Sequence, residues 1–464
     1  MRGSEIFDAL RAVTDGLTVS SSRGHIDGRA LLDSAERLAQ WLDGCGEPGP
    51  LVSAVTDIAS IVVTTLAADR SGRPVVHIDP GDLTGPDGLQ ARETGDTPVG
   101  PDDYQDDRIG LHVTRRGRGT PLTGVPPGAQ MFLTSGSSGE PVIVVRDAAA
   151  VLADARAVAG RLSYRADIPL VAGVPLYHVY GFTYGLIAPL LVGASVRHTG
   201  PRTVPSQLDR AVQQTGARIL IGHPAHFRMV AEQAKRLGAP VLTGLDVAVS
   251  AGAPLPEGAA AAIAAHHEFT LYNCYGSSEA GAITLSPMTG TEPPGDAGAL
   301  LPGIEARLAS SEDGGPAELW LRTAGMARGY LQDDRLVPLA MTGDWLRTGD
   351  LAELLGDRVH LRGRISSIIN VGGEKVAPEE IERVLAAHPQ VADVEVRGEP
   401  DPVRGQLPVA RLVLREAVSD ADLLAWCRER LAPMKMPRRF ERHTQLARSV
   451  TGKRLRRTDE GERR

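Results

Sequence analysis

The chain has 464 residues, too many for a single hydrophobic core, so two or more domains are expected. With 42% hydrophobic and 23% charged residues it reads as soluble and globular, and a net charge of -7 argues against a general nucleic-acid binder. Cys45, Cys274 and Cys427 are too scattered for a metal site or a disulfide framework, which predicts a reducing cytoplasm.

The start of the chain carries Glu5 and Asp8 and does not read as a signal peptide. Residues 30–43 show helical apolar spacing, residues 53–69 read as a more buried helix, and residues 74–78 as a core strand. From Pro80 to Gly128 the chain is rich in Gly, Pro and Asp, which predicts mostly loop with a short strand near residues 109–113.

Residues 131–142 then run from a buried strand end into six small residues, Thr134, Ser135, Gly136, Ser137, Ser138 and Gly139. Glycines let backbone N–H groups turn toward one point and the hydroxyls add donors, so this nest suits a polyphosphate. It lacks the Gly-Lys-Ser/Thr ending of a Walker loop, and by itself such a stretch is more often a flexible Ser/Gly turn; it gains weight only from the motifs downstream.

Residues 168–196 contain no charge and are long enough to cross a membrane, but Pro169, Pro175, Pro189 and His178 punctuate them as strand, loop, helix and strand, so no membrane partner is expected. Apolar runs at 170–174, 218–222, 246–252 and 269–276 end in small or polar motifs, with helical segments between. That rhythm predicts a doubly wound α/β sheet, in which ligands bind at the carboxyl ends of the strands.

After Asp350 the pattern changes. Residues 359–364, 391–396 and 409–414 read as strands, and 378–388 and 419–431 as helices, the second with Ser419 as its N-cap. This predicts a small α+β domain, so the division expected is 1–363 and 364–464, with a charged, mobile tail at 454–464. Of the 50 basic residues only Lys235, Lys375, Lys435 and Lys453 are lysine, a bias that can keep lysine where a compact ammonium is needed.

Seven motifs follow in order: the Thr134–Gly139 stretch with Glu140 and Pro141; residues 174–181 around His178; residues 250–255; residues 273–279; residues 347–350; Gly363 and Arg364 with residues 372–382; and residues 450–453. Their order and spacing resemble the adenylate-forming superfamily of acyl-CoA synthetases, peptide-synthetase adenylation domains and luciferases. The resemblance covers roughly residues 30 to 456 and implies a large α/β N-terminal domain and a small mobile C-terminal one. It implies a two-step reaction in which an acid attacks the α-phosphate of ATP and a thiol then takes the acyl group.

The resemblance also implies roles. Lys453 is the catalytic lysine between the attacking carboxylate and the α-phosphate. Glu279 binds magnesium, and Ser278 lies near the α-phosphate. Tyr275 stacks on adenine, Asn273 bonds its amino edge, and Gly252, Ala253, Pro254 and Gly276 complete the nucleotide site. Asp350 accepts the ribose hydroxyls and Arg364 reaches ribose or phosphate. His178, His223 and Ser277 border the acid, although packing or capping is an equal reading of His223. Gly372 and Gly373 flank a pantetheine arm, and Ser366 lies at the hinge.

Four positions depart from the family pattern: Val142 replaces a phosphate-binding lysine, Ser366 a charged hinge residue, Asn370 a lysine used in thioester formation, and Ala447 a proline. The expected function is an ATP- and magnesium-dependent ligase of a small or aryl acid, with coenzyme A or the phosphopantetheine of an acyl carrier protein as acceptor. The alternatives are an adenylating enzyme that makes no thioester, acting on another oxyacid such as nitrous acid or with an amine acceptor, and a degenerate nucleotide-binding scaffold.

Overall fold

The computed structural model describes all residues except 1–3, 22, 47–48, 82–87, 94–102, 117–118, 136–140, 256–257, 310–316, 373, 403 and 448–464. The motif-bearing runs form an eight-stranded sheet. Thr18–Ser21, Val196–His198, Leu170–Ala172, Ile219–Gly222, Val247–Ser250 and Thr270–Ser277 lie side by side and parallel. Gly24–Asp27 and Gly281–Met288 close the two edges antiparallel. Several of these strands are only three or four residues long and almost wholly buried, as parallel strands covered on both faces must be.

A nine-stranded sheet holds Gln130–Ser135 paired antiparallel with Pro141–Arg146. The helix Ile58–Ser71 is buried almost all round and packs in the main core; the Asp57 carboxylate caps it by accepting from the N–H groups of Ala59 and Ser60. Asp147 caps the helix Ala148–Arg161 in the same way.

The stretch 80–128 holds more structure than composition suggests. Gly88–Glu93, Tyr104–Asp106 and Leu111–Arg116 pair as antiparallel strands at the edge of the nine-stranded sheet. Their apolar residues are few and separated by turn formers, so pairing with a neighbour, not local pattern, makes them strands.

The uncharged span 168–196 resolves as foreseen into strand, loop, helix and strand, and no helix among the described residues is long and apolar enough to cross a membrane. Its helical part, Val179–Phe182 to Ala188–Leu191, contains a π-turn at Thr183–Ile187.

A six-stranded antiparallel sheet follows, in which Trp345–Leu355 pairs with Arg358–Arg364 and brings Asp350 opposite Arg364. After the single 3₁₀ turn Ile365–Ser367, the strands Ile369–Val371, Glu374–Val376, Val391–Asp401, Gly405–Leu414 and Arg439–Arg442 form a separate five-stranded sheet. It has its own core of Ile369, Ile381, Val394, Leu412 and Leu423, covered by the helices Pro378–Ala386 and Asp420–Arg428. Ser419 caps the second helix, as its sequence predicts.

Candidate active site

The carboxyl ends of the parallel strands carry the motifs. Thr270–Ser277 delivers Asn273 and Tyr275 and then turns through Ser278 and Glu279 into Gly281–Met288. Gly276 lies at a bulge there, and a Cβ on it would come within 2.4 Å of the Gly281 carbonyl oxygen, so the turn admits only glycine. The Ser277 hydroxyl accepts from the Ala280 N–H at 3.0 Å and braces the turn.

Tyr275 reaches into the neighbouring sheet. Its hydroxyl donates to Asp350 Oδ2 at 2.6 Å, while Arg364 Nε donates to Oδ1. Asp350 is 5% exposed, and its two bound oxygens keep further lone pairs for hydroxyl donors. Burial and the adjoining carboxylate push the Tyr275 phenol well above its ordinary value, so it stays a donor. Glu279 Oε1 accepts from the Tyr330 hydroxyl at 2.9 Å, and the Glu279 carbonyl from the Ala327 N–H at 2.7 Å.

The Gly252–Pro254 turn follows the strand Val247–Ser250, and Gly252 has a φ of +92° that favours glycine. Thus Tyr275, Asp350 and Arg364 are joined by hydrogen bonds, Asn273, Ser278 and Glu279 lie on the same strand and its turn, and Gly252, Ala253 and Pro254 follow the adjacent strand.

His178 sits at the N-terminus of the helix Val179–Phe182, its ring edge-on to Tyr177 at 4.8 Å. Burial lowers its pKa, which keeps the imidazole neutral. Beside it opens a cavity of about 920 Å³, lined by Tyr177, Asp79, Arg202 and Arg210 among others. Asp79 accepts from the Tyr177 hydroxyl, whereas Arg202 and Arg210 make no hydrogen bond or ion pair among the described residues.

His223 is placed differently. It is 2% exposed, its Nε2 pairs with the Pro201 carbonyl at 2.8 Å, and its ring stacks on His226 at 3.8 Å. The packed alternative describes this position.

Thr134 is the last but one residue of the strand Gln130–Ser135 and pairs in register with Val142. The side chain of Ser135, and Gly136, Ser137, Ser138, Gly139, Gly373 and Lys453, lie outside the described residues. Ser366 is exposed in the 3₁₀ turn, and Gly372 adopts φ +63° at the end of the strand Ile369–Val371.

Sequence reasoning missed three groups. The Tyr330 hydroxyl on Glu279 carried no motif. The Tyr180 hydroxyl, which donates to the carbonyls of Gly222 and Val249, stood next to His178 but was read only as motif context. Arg146 and Asp154 form a buried ion pair, and an arginine closing the apolar run 142–145 was the available signal.

The sequence profile of AMP-binding enzymes matches residues 123–331, and that of the AMP-binding enzyme C-terminal domain matches residues 380–453. The chain belongs to the adenylate-forming superfamily. Curated relatives include the mitochondrial malonate–CoA ligase ACSF3 of Mus musculus, 30% identical over 368 residues (70% of this chain and 63% of that protein). The 2-succinylbenzoate–CoA ligase of Salmonella typhimurium is 32% identical over 329 residues (67% and 63%). The match therefore spans under two thirds of the length of these relatives. Among solved structures, the adenylate-forming fold recurs in ATP-bound MatB from Rhodopseudomonas palustris, at TM-score 0.78, 19% identity and coverage of 98% and 97% of the two chains. It recurs also in the amide bond synthetase McbA from Marinactinospora thermotolerans, at TM-score 0.76, 22% identity and coverage of 97% and 98%.

Proposed function

We propose that this adenylate-forming enzyme is an ATP-dependent acid–CoA ligase acting on a small or aryl carboxylic acid, working in the cytoplasm. The observation that carries the reading is the hydrogen-bonded run from Tyr275 through Asp350 to Arg364, beside the Ser278–Glu279 turn. It supplies an aromatic face, a buried carboxylate for two ribose hydroxyls and donors for an α-phosphate. The relatives named for malonate and 2-succinylbenzoate support the coenzyme A acceptor and the acid class.

In this reading adenine lies between Tyr275 and the Gly252–Pro254 turn, with Asn273 on its amino edge. Asp350 takes the ribose, aligned by Tyr275 and Arg364. The acid carboxylate attacks the α-phosphate, forming the acyl–oxygen–phosphorus bond and releasing pyrophosphate. Charge grows on the phosphate oxygens, and Ser278 and the ammonium of Lys453 stabilise it. Among the described residues no cluster of three metal-binding side chains exists. Glu279, a lone carboxylate beside the proposed phosphate site, would hold a magnesium ion, which would supply neutralisation of phosphate charge there.

The thiol then attacks the acyl carbon and AMP leaves. Neutral His178 lines the route for acid and thiol, and Arg202 and Arg210, which have no ion-pair partner among the described residues, offer the cavity beside it two cations for phosphates of the acceptor. We place the domain boundary at the turn Ile365–Ser367, with Ser366 as the hinge and Gly372 and Gly373 against the pantetheine. The test is ATP–pyrophosphate exchange across a panel of mono- and dicarboxylic acids, followed by offering coenzyme A, carrier protein and amines. Exchange with a carboxylic acid and a coenzyme A thioester as product are expected. Exchange without any thioester selects the amine or oxyacid alternative, and no exchange with any acid selects the scaffold.

A further inference from the structure

Arg146 heads the fully buried side chains of the described protein by volume, at 1% exposure. It is the last residue of the strand Pro141–Arg146. One guanidinium nitrogen, Nη1, donates to the Ser278 carbonyl at 3.1 Å. The other, Nη2, donates to Asp154 Oδ2 at 3.0 Å, to the Gly325 carbonyl at 2.7 Å and to the Ala150 carbonyl at 3.5 Å.

Asp154, on the helix Ala148–Arg161, is also buried. Its Oδ1 accepts from the Ala282 N–H at 3.0 Å, and its Oδ2 also accepts from the Thr183 hydroxyl at 3.4 Å. Gly281 wraps so closely round this carboxylate that a Cβ on it would lie 2.4 Å from Oδ2.

The backbone is therefore gripped on both sides of Glu279: at Ser278 by the arginine and at Gly281–Ala282 by the aspartate. The Gly325 contact holds the start of the segment whose Ala327 N–H and Tyr330 hydroxyl also bind Glu279. A buried ion pair contributes little net stability, because desolvating two charges consumes most of their attraction and an apolar pair of equal volume is often as good. Fixed geometry is what this pair adds: a forked donor that binds three carbonyls and a carboxylate at once, which neither an ammonium nor an apolar side chain reproduces.

We propose that Arg146 and Asp154 are positioning residues that fix the Ser278–Glu279 turn so that the Glu279 carboxylate meets magnesium bound to the triphosphate. This rests on the reading of Glu279 given above. The ion pair acts through the turn and touches neither nucleotide nor metal.

The experiment measures ATP affinity with and without saturating magnesium. It compares wild type, Arg146→Lys, the uncharged pair Arg146→Met with Asp154→Asn, and Glu279→Gln as reference. Cooperative melting confirms folding, and the uncharged pair guards against a variant that fails to fold through an unpaired buried charge. The folded variants should bind metal-free ATP within about twofold of wild type but lose about tenfold of the tightening that magnesium gives, as Glu279→Gln does. The magnesium concentration for half-maximal pyrophosphate exchange should rise in parallel, with half-saturation for the acid unchanged. Unchanged magnesium dependence in both folded variants, with Glu279→Gln impaired, would overturn the positioning role and leave the proposed function standing. If Glu279→Gln itself keeps full magnesium dependence, the assignment of Glu279 falls, and the inference with it.

Discussion

The Tyr275 hydroxyl and the Asp350 carboxylate, 2.6 Å apart, join the eight-stranded sheet to the six-stranded one at the point where the nucleotide is proposed to lie. Tyr275 comes from the eight-stranded sheet and Asp350 from Trp345–Leu355, so one hydrogen bond fixes an aromatic ring relative to the carboxylate proposed to take the ribose. Tyr275→Phe keeps the ring and removes only the donor. A hydrogen bond to a charged group is worth roughly 1.5–3 kcal/mol, so the variant should raise the ATP concentration for half-maximal exchange about tenfold and leave that for the acid unchanged. Equal effects on both substrates would show that the bond braces the fold rather than the ribose site.

Acid should weaken the protein through its buried histidines. Burial lowers His77, which is paired with Gln130, to about 4 and His226 to about 3; His198 and His223 are lowered too. A base whose folded pKa is depressed contributes stability that is present above its unfolded value, ordinarily about 6.5, and lost as pH falls below it. His77 alone should cost about 2 kcal/mol at pH 5. Asp69 runs the other way: burial raises it to about 6, so it favours folding at low pH and loses that contribution as pH rises through 6. Denaturant titrations should show a net loss from pH 6.5 downward, and His77→Gln should shrink it by about 2 kcal/mol at pH 5. An undiminished loss in that variant would assign the acid sensitivity elsewhere.

Ser366 occupies the middle of the Ile365–Ser367 turn, between the six-stranded sheet and the C-terminal one. A 3₁₀ turn already holds φ near the proline value, so Ser366→Pro should fold and stiffen the connection. Thioester formation from added acyl-adenylate should slow at least tenfold, with adenylation changing less than threefold, as expected if a swivel separates the two half-reactions. Parallel loss of both rates would remove the hinge.

Val142 stands where the family carries a lysine, on the strand just beyond residues 136–140 and in register with Thr134. If its side chain faces the triphosphate, Val142→Lys should tighten ATP several-fold, and more so at low salt, as a screened charge contact requires. Unchanged affinity in a calorimetric titration would mean that the position points elsewhere.

Much of this site could be read in the sequence because its chemistry needs particular residues in order on successive strand ends. Asp350, Arg364, Tyr275 and Glu279 are the residues proposed for it, and the register Asp350↔Arg364 brings two of the motifs together. Arg146 and Asp154 are not legible, since outside the pair they bind mainly backbone, the carbonyls of Ser278 and Gly325 for the arginine and the Ala282 N–H for the aspartate, and backbone groups look alike in every residue. His223 follows a strand end like the functional positions, yet its ring packs inward on His226, a choice set by side-chain packing alone. Nor could composition reveal the pairing of Gly88–Glu93 with Leu111–Arg116, because antiparallel strands tolerate alternating polar residues.

The central claim is adenylate formation that depends on Lys453, and single-turnover kinetics of the two half-reactions test it directly. In the proposed mechanism the ammonium stabilises charge that develops on the α-phosphate and the attacking oxygen, an effect worth about two to four kcal/mol. Lys453→Ala should slow adenylate formation on the order of a hundred- to a thousand-fold. Transfer from preformed acyl-adenylate to coenzyme A should continue near the wild-type rate, and Lys453→Arg should not rescue, because a guanidinium places its charge differently. Near-normal adenylation by Lys453→Ala would contradict the account.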